Sequence, residues 1–301
     1  QQYPDDIAIL TCKVFTEKLA ETAVAIQEQF DAVLRLLPAV PVVQAMAHAT
    51  KGGKRLRGFM VMQSAHLHDI PSDKSIWPAT GIEALHAYSL VHDDLPCMDN
   101  DDLRRGEPTV HVKWNETTAV LAGDALQTLA FELVGKPEVG SGDVRADLSL
   151  SLARAAGAKG MVLGQALDIA ASSANQALTL DEITALQRGK TGALIEWSAT
   201  AGARLAGADI TALQTYSLAL GLAFQIADDV LDITGDATTI GKATGKDIDA
   251  GKATFVSLLG LDEAKRRAQS LVTAACDALQ PYGANADILR ETARFVIARK
   301  K

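Results

Sequence analysis

A chain of 301 residues with 48% apolar side chains can bury a substantial core, and its three scattered cysteines are too few for a disulfide framework. A formal charge of −8 argues against a general nucleic-acid binder or a polybasic membrane anchor, although local basic residues and bound cations let an acidic chain hold a phosphorylated ligand. Aromatic residues at 5%, beside abundant Ala and Leu, favour packed helices over sheets.

From Asp6 to about Leu37, apolar residues recur three and four apart (Ile9, Val14, Leu19, Ile26, Phe30, Val33), which predicts an amphipathic helix broken at most once. Pro38 and Pro41 end it, and Val42–His48 begins another helix. The opening Gln1–Asp6 has neither the basic region nor the apolar core of a signal peptide. The longest apolar stretch, Tyr216–Ala227, is too short to span a bilayer, so a soluble, cytoplasmic protein is expected. Lys51-Gly52-Gly53-Lys54-Arg55-Leu56-Arg57-Gly58 places four cations in seven positions. Alone it reads as a solvated basic loop; it can equally cradle a diphosphate, the glycines admitting backbone N–H groups and the cations supplying charge-assisted bonds.

Met60–Leu67 reads as helical, Pro71-Ser72-Asp73 as a turn, and Gly81–Leu95 as a helix that delivers the densest charge in the chain. Asp93, Asp94, Asp99, Asp101 and Asp102 fall within ten residues, and Arg104 and Arg105 follow at once. Adjacent carboxylates repel, so this stretch calls for a cation. Six residues turn a straight helix by about 240°, so Asp99 can join Asp93 only if the chain curls after Pro96. His86 lies two turns before Asp93 and Ser89 one turn before; a core histidine is the plain reading of His86. His92-Asp93 also suggests an HD-type phosphohydrolase, but the further histidines of such a site are not in place.

Glu107–Trp114 reads as a loop and Glu116–Leu133 as a helix. Pro137–Asp143 is the best candidate for an internal break, without any composition shift to mark a boundary. Ala146–Ala171 reads as one helix; its Gln165 and Asp168 either face a cavity or serve as capping or surface residues. Ser172–Asn175 is a linker, and Thr179 with Glu182 resembles a helix start. Gly189-Lys190-Thr191-Gly192 resembles the end of a P-loop, but position 184 is Thr where that motif needs Gly. Leu213–Ile233 is a helix bearing Asp228, Asp229 and Asp232. Its Asp228 and Asp232 share one face about 6 Å apart, with Gln225 one turn before Asp228. Gly235–Gly251 is too polar to pack and is expected to act as a flap; Asp262–Leu279 and Asp287–Arg299 complete the chain as amphipathic helices.

The pair Asp93-Asp94-x-x-x-x-Asp99 and Asp228-Asp229-x-x-Asp232 resembles the two aspartate-rich motifs of the trans-prenyl diphosphate synthases, closest to the bacterial farnesyl diphosphate synthases. The likeness extends from Gly52-Gly53-Lys54-Arg55-Leu56-Arg57 to Lys252-Ala253-Thr254-Phe255. One such motif is a weak signal; two in this order, with arginines after the first and lysines after the second, form a strong one.

The resemblance implies one all-α polyprenyl synthase domain over residues 1–301, a helical bundle around a central cavity (the isoprenoid synthase fold), and a homodimer. It also implies head-to-tail 1′–4 condensation of an allylic diphosphate with isopentenyl diphosphate. Asp93 and Asp99 would bridge two Mg²⁺ ions and Asp228 would hold a third, with Asp94 and Asp232 in support. Arg104 and Lys190 would grip the allylic diphosphate, and Lys54, Arg57, His86 and Arg105 the isopentenyl diphosphate. Thr191 and Gln225 would steady the cation, and Lys242 and Lys252 would approach the diphosphate on closure. Tyr88 and Ser89, five and four before the first aspartate, would stop product growth at C15; a geranylgeranyl (C20) synthase is the alternative. A terpene cyclase would not need the second set of basic residues. A non-catalytic subunit of a heteromeric synthase usually has degraded acidic motifs, and both are intact here.

Overall fold

The computed structural model describes residues 3–173, 178–234 and 254–298. They are helical almost throughout, as composition and periodicity predict, with one short hairpin supplying the strands among the described residues. By contact, the chain divides into two compact units. One comprises Lys13–Ser149 and Ala201–Ala208; the other comprises Gln1–Cys12, Leu150–Thr200 and Asp209–Lys301.

In the first unit, α1 (Tyr3–Leu34) contributes Phe15, Ile26 and Phe30, all buried, and the Phe15 ring meets Phe59 of α3 (Leu56–His66) edge-on at 5.6 Å. The predicted break after α1 is present, with α2 spanning Pro41–Ala49. The helix carrying the first acidic motif, α4 (Ser72–Asp93), is longer than expected. It begins nine residues before Gly81 and runs through Pro78, a residue type that ordinarily breaks a helix interior. Ser75, Pro78, Ala79 and Ile82 are all buried, so packing of this stretch outweighs the lost hydrogen bond at Pro78. The main partners of α4 are α3 and α6 (Glu116–Val134), whose N-cap Asn115 accepts from the Thr118 N–H at 2.8 Å.

The stretch read as a loop over Glu107–Trp114 is more structured. Strands β1 (Leu103–Arg104) and β2 (Glu107–Pro108) pair antiparallel, and α5 (Val110–Lys113) follows. Arg105 and Gly106, both at positive φ, form the two-residue turn between the strands, the backbone geometry that a tight right-twisted hairpin favours.

The single helix expected over Ala146–Ala171 is two, α7 (Gly142–Ala156), which begins in the first unit and ends in the second, and α8 (Met161–Ser173) of the second unit, separated around Gly157 and Gly160. A capping box starts α9 (Leu180–Gln187): Thr179 Oγ1 accepts from the Glu182 N–H at 3.3 Å, and Glu182 Oε2 accepts from the Thr179 N–H at 2.8 Å. A π turn, Arg188–Gly192, joins α9 to α10 (Ala193–Ala206). The axis of the unit is α11 (Thr211–Thr234), packed on α13 (Leu261–Ala278) and α14 (Asp287–Ala298), with short α12 (Phe255–Leu259) between. Ile183, Ile226, Phe255, Val256, Ala264 and Ala268 form its core. No described helix is long and apolar enough to cross a membrane.

Candidate active site

The first acidic motif curls as its spacing demands. Helix α4 ends at Asp93, and the Asp99 N–H donates to the Asp93 carbonyl at 2.8 Å. Further bonds from Met98 N–H and Asn100 N–H to the Leu95 carbonyl, at 2.9 and 3.1 Å, wind the intervening residues into a compact turn. Asn100 takes positive φ, a conformation that Asn tolerates better than most residues. Asp99 thus returns beside Asp93 with its side chain exposed, and Asp93 is half-buried.

Asp94 behaves differently from its neighbours. It is 3% exposed, and its carboxylate accepts from Arg104 Nε at 2.9 and 2.8 Å and from Arg104 Nη2 at 2.5 Å. This two-pronged pair ties the hairpin to the end of α4, with Asp101 4.0 Å from Arg104 Nη2. Burial lowers the Arg104 pKa, but the bond to Asp94 and the negative fields of Asp94, Asp101 and Asp93 outweigh it and leave the guanidinium pKa raised.

Arg105 points to the other side of the turn, where Nη1 donates to the Lys51 carbonyl at 3.0 Å. Its guanidinium lies on Gly53, where a Cβ would stand 2.7 Å from Nη2. A cavity of about 390 Å³ opens beside these residues, lined by Gly52, Gly53, Arg104 and Arg105 together with Leu90 and Val91. His86 keeps some solvent contact. Burial, and then the positive charges of Arg57, Arg105, Arg104 and Arg55, hold its pKa well below the ordinary value of 6.5. His86 is therefore a neutral side chain amid four guanidinium groups, an environment that favours an anionic ligand. Lys54 is exposed and Arg57 half-buried on the same Gly-rich entrance to α3.

Arg55 belongs to the same run of cations but turns inward. In the left-handed region at φ 54°, it is 5% exposed, 3.6 Å from Glu83 of α4, and donates to Gln27 Oε1 at 3.0 Å and to the Thr50 carbonyl. The other Glu83 oxygen accepts from the Gly58 N–H at 2.9 Å. Arg55 thus braces the loop that displays Lys54 and Arg57, a role that no local sequence signal distinguishes from theirs.

The remaining expected residues of this unit lie on α4. Ser89 is half-buried and donates back to the His86 carbonyl at 2.8 Å. Tyr88 is 9% exposed, its ring edge-on to His92 at 5.2 Å; burial, with the charges of Asp93 and Asp124, raises its pKa, a bond with Gln127 opposing the rise.

In the second unit the π turn sets the geometry. It lies against α8 so closely that a Cβ on Gly164 would stand 2.1 Å from the Lys190 backbone nitrogen. Lys190 Nζ meets Asp168 Oδ2 of α8 at 2.6 Å. Asp168, for which the sequence leaves both a cavity-facing and a capping or surface role open, is half-buried and paired with Lys190. Thr191 Oγ1 donates to Gln225 Oε1 at 3.3 Å, and Gln225 Nε2 donates to Asp229 Oδ1 at 3.1 Å. Asp229, 6% exposed, uses its other oxygen to accept from the Phe255 N–H at 2.7 Å. The middle aspartate of the second motif thus anchors the start of α12, while Asp228 and Asp232, one turn apart, are half-buried. Lys242, Lys252 and the expected flap over Gly235–Gly251 lie outside the described residues.

Among the described residues, no three His, Cys, Asp or Glu side chains gather closely enough to hold a metal by themselves. The donors of both motifs are carboxylate oxygens, few in number, which is the set a Mg²⁺ ion takes when waters and substrate phosphates complete its shell.

The chain is similar to known proteins over most of its length. Farnesyl diphosphate synthase of Escherichia coli (strain K12) is 43% identical over 272 residues, covering 87% of this chain and 90% of its own. The apo structure of an FPP/GFPP synthase from Zymomonas mobilis superposes with a TM-score of 0.86 at 41% identity, covering 95% and 99% of the two chains. A Helicobacter pylori geranyltransferase solved with magnesium and isoprenyl diphosphate gives 0.78 at 35% identity, covering 93% and 96%. The family model described as Polyprenyl synthetase matches residues 40–282, a span that takes in both acidic motifs, the arginine cluster and the π turn. This chain, with its all-α isoprenoid synthase fold, belongs to the polyprenyl synthetase family.

Proposed function

We propose that this protein is a magnesium-dependent prenyltransferase acting as one polyprenyl synthase domain over residues 1–301. It condenses dimethylallyl or geranyl diphosphate with isopentenyl diphosphate, head-to-tail and 1′–4, to give farnesyl diphosphate. The observation that carries this reading is one unit that combines a turn bringing Asp99 back to Asp93 with four arginines crowding a neutral His86. Ligands for a hard cation and a cradle for phosphate oxygens thus occur together. The 43% identity to a farnesyl diphosphate synthase supports the same activity.

In this reading, Asp93, Asp99 and Asp228 hold three Mg²⁺ ions with the substrate, and Asp232 supports Asp228. Bound magnesium would neutralise charge on the departing diphosphate as a Lewis acid. Asp94 orients Arg104 toward the allylic diphosphate, and Asp168 holds Lys190 ready for the same group. Arg105, Arg57, Lys54 and His86 receive isopentenyl diphosphate, with Lys242 and Lys252 closing over the anions. Loss of diphosphate leaves an allylic cation, which the Thr191 hydroxyl and Gln225 carbonyl oxygens face with the negative ends of their dipoles. Apolar helix faces keep water from it. The isopentenyl double bond then attacks, and the proton passes to the released diphosphate; no side-chain nucleophile is required.

The test is an assay with Mg²⁺, geranyl diphosphate and isopentenyl diphosphate, with products separated by chromatography. A C15 product is expected, and a folded sample giving none refutes the reading. Asp93→Ala should lose most turnover and keep its circular dichroism spectrum; full activity would remove Asp93 from the metal site. A soluble homodimer is expected from the same membership.

A further inference from the structure

We propose that His92 is a positioning residue for product length: seated on Gly123, it holds the Tyr88 ring as the floor that stops chain growth. The inference rests on the prenyltransferase reading and adds to it the element that fixes Tyr88.

His92 and Tyr88 stand four residues apart on α4, on the face turned to α6, and their rings meet at 5.2 Å with planes at 82°. Such edge-to-face packing prefers one relative orientation, so the ring that is fixed independently directs the other. His92 is the fixed one. Its Nε2 lies 3.0 Å from the Val120 carbonyl, which can only accept, so Nε2 carries the proton and donates. The imidazole lies against Gly123, where a Cβ would come within 2.0 Å of Nε2, 2.3 Å of Cδ2 and 2.9 Å of Cε1. No other residue type leaves room for the ring there. Asp124, 4.0 Å from Nε2, adds a negative charge beside the same edge. The Tyr88 ring is thus held at one end by its bond with Gln127 and packed against an imidazole seated by the Val120 carbonyl and by Gly123.

This arrangement sets the position of a buried aromatic ring one turn back along α4 from the acidic motif.

The experiment compares products of the wild type, His92→Ala, Tyr88→Ala and the double variant, with geranyl diphosphate, excess isopentenyl diphosphate and Mg²⁺. An edge-to-face pair is worth about 0.5–1.5 kcal/mol, so losing it should raise the C20:C15 ratio of His92→Ala by roughly two- to tenfold. Because His92 acts through Tyr88, the double variant should match Tyr88→Ala alone. Gly123→Ala, which evicts the ring without touching either side chain, should lengthen products in the wild-type background and change nothing further in His92→Ala. It also keeps the test alive should His92→Ala fail to fold. A wild-type C15 profile in folded His92→Ala or Gly123→Ala overturns the proposal, as does additional lengthening by His92→Ala in the Tyr88→Ala background. Absence of any prenyl product from the wild type overturns the prenyltransferase reading instead.

Discussion

Gly164→Ala is the most economical test of how the π turn serves the site. A Cβ at residue 164 would stand 2.1 Å from the Lys190 nitrogen, 2.6 Å from its Cα and 2.7 Å from the Gly189 carbonyl carbon. Every atom it meets is backbone, so no rotamer change relieves the contact. An ordinary van der Waals separation begins near 3.4 Å, and α8 and the turn must therefore part by more than about 1 Å. Overpacking of this kind costs about 1–3 kcal/mol, which a domain of ordinary stability survives. The Lys190–Asp168 contact of 2.6 Å does not survive such a displacement, and the lysine loses its preset position. A misplacement of about 1 Å in a binding group can cost roughly 100-fold in rate. Steady-state kinetics with geranyl diphosphate varied should show kcat/KM falling by about that factor, while the KM for isopentenyl diphosphate stays near the wild-type value. A lowered melting temperature should accompany the change. A variant with wild-type kcat/KM would show that Lys190 does not need this seat, and the role assigned to the turn would fall.

Three other outcomes follow from the geometry. Glu83→Ala leaves Arg55 charged in the interior and the Gly58 N–H without its acceptor, and should cost about 3–5 kcal/mol in urea unfolding; a loss under 1 kcal/mol would mean that the pair contributes little. Asp94→Asn removes the charge that orients Arg104 and should raise the KM for geranyl diphosphate about tenfold, the equivalent of one charge-assisted hydrogen bond; an unchanged KM would detach Arg104 from that substrate. The depressed His86 pKa means that the unfolded chain binds a proton that the folded chain refuses, so His86 withdraws stability as pH falls below about 6.5, by up to about 1.4 kcal/mol per pH unit. His86→Gln should remove about 1.4 kcal/mol in total from the stability change between pH 7.5 and 5.5, and an identical profile would place the titration elsewhere.

The helices and both acidic motifs were legible because their signals are local: apolar spacing, caps, and like charges too dense for a bare surface. The curl after Pro96 was legible too, since a straight helix sends Asp99 the wrong way. What could not be read was the partner of each charge. Arg55 and Arg57 are chemically alike and two residues apart, yet one is buried against Glu83 of a helix 28 residues away in sequence and the other lines the entrance. Asp94 and Asp229 likewise sit inside acidic motifs while holding Arg104 and the Phe255 N–H. The start of α4 was misread because Pro78 and Gly81 are local breakers, whereas packing on α3 and α6 carries the helix through both. The hairpin went unread because its turn uses Arg105 at positive φ, where Asn or Asp would have signalled it.

The π turn at Arg188–Gly192 makes the run from Leu180 to Ala206 a continuous helix carrying one residue more than regular winding allows. Removing a single codon there would restore an ordinary helix and swing Lys190 and Thr191 by about 100° relative to one flank. The orientation of these two side chains is therefore an all-or-nothing trait: a frame-preserving deletion would switch it off, while α9 and α10 could each retain their own buried faces.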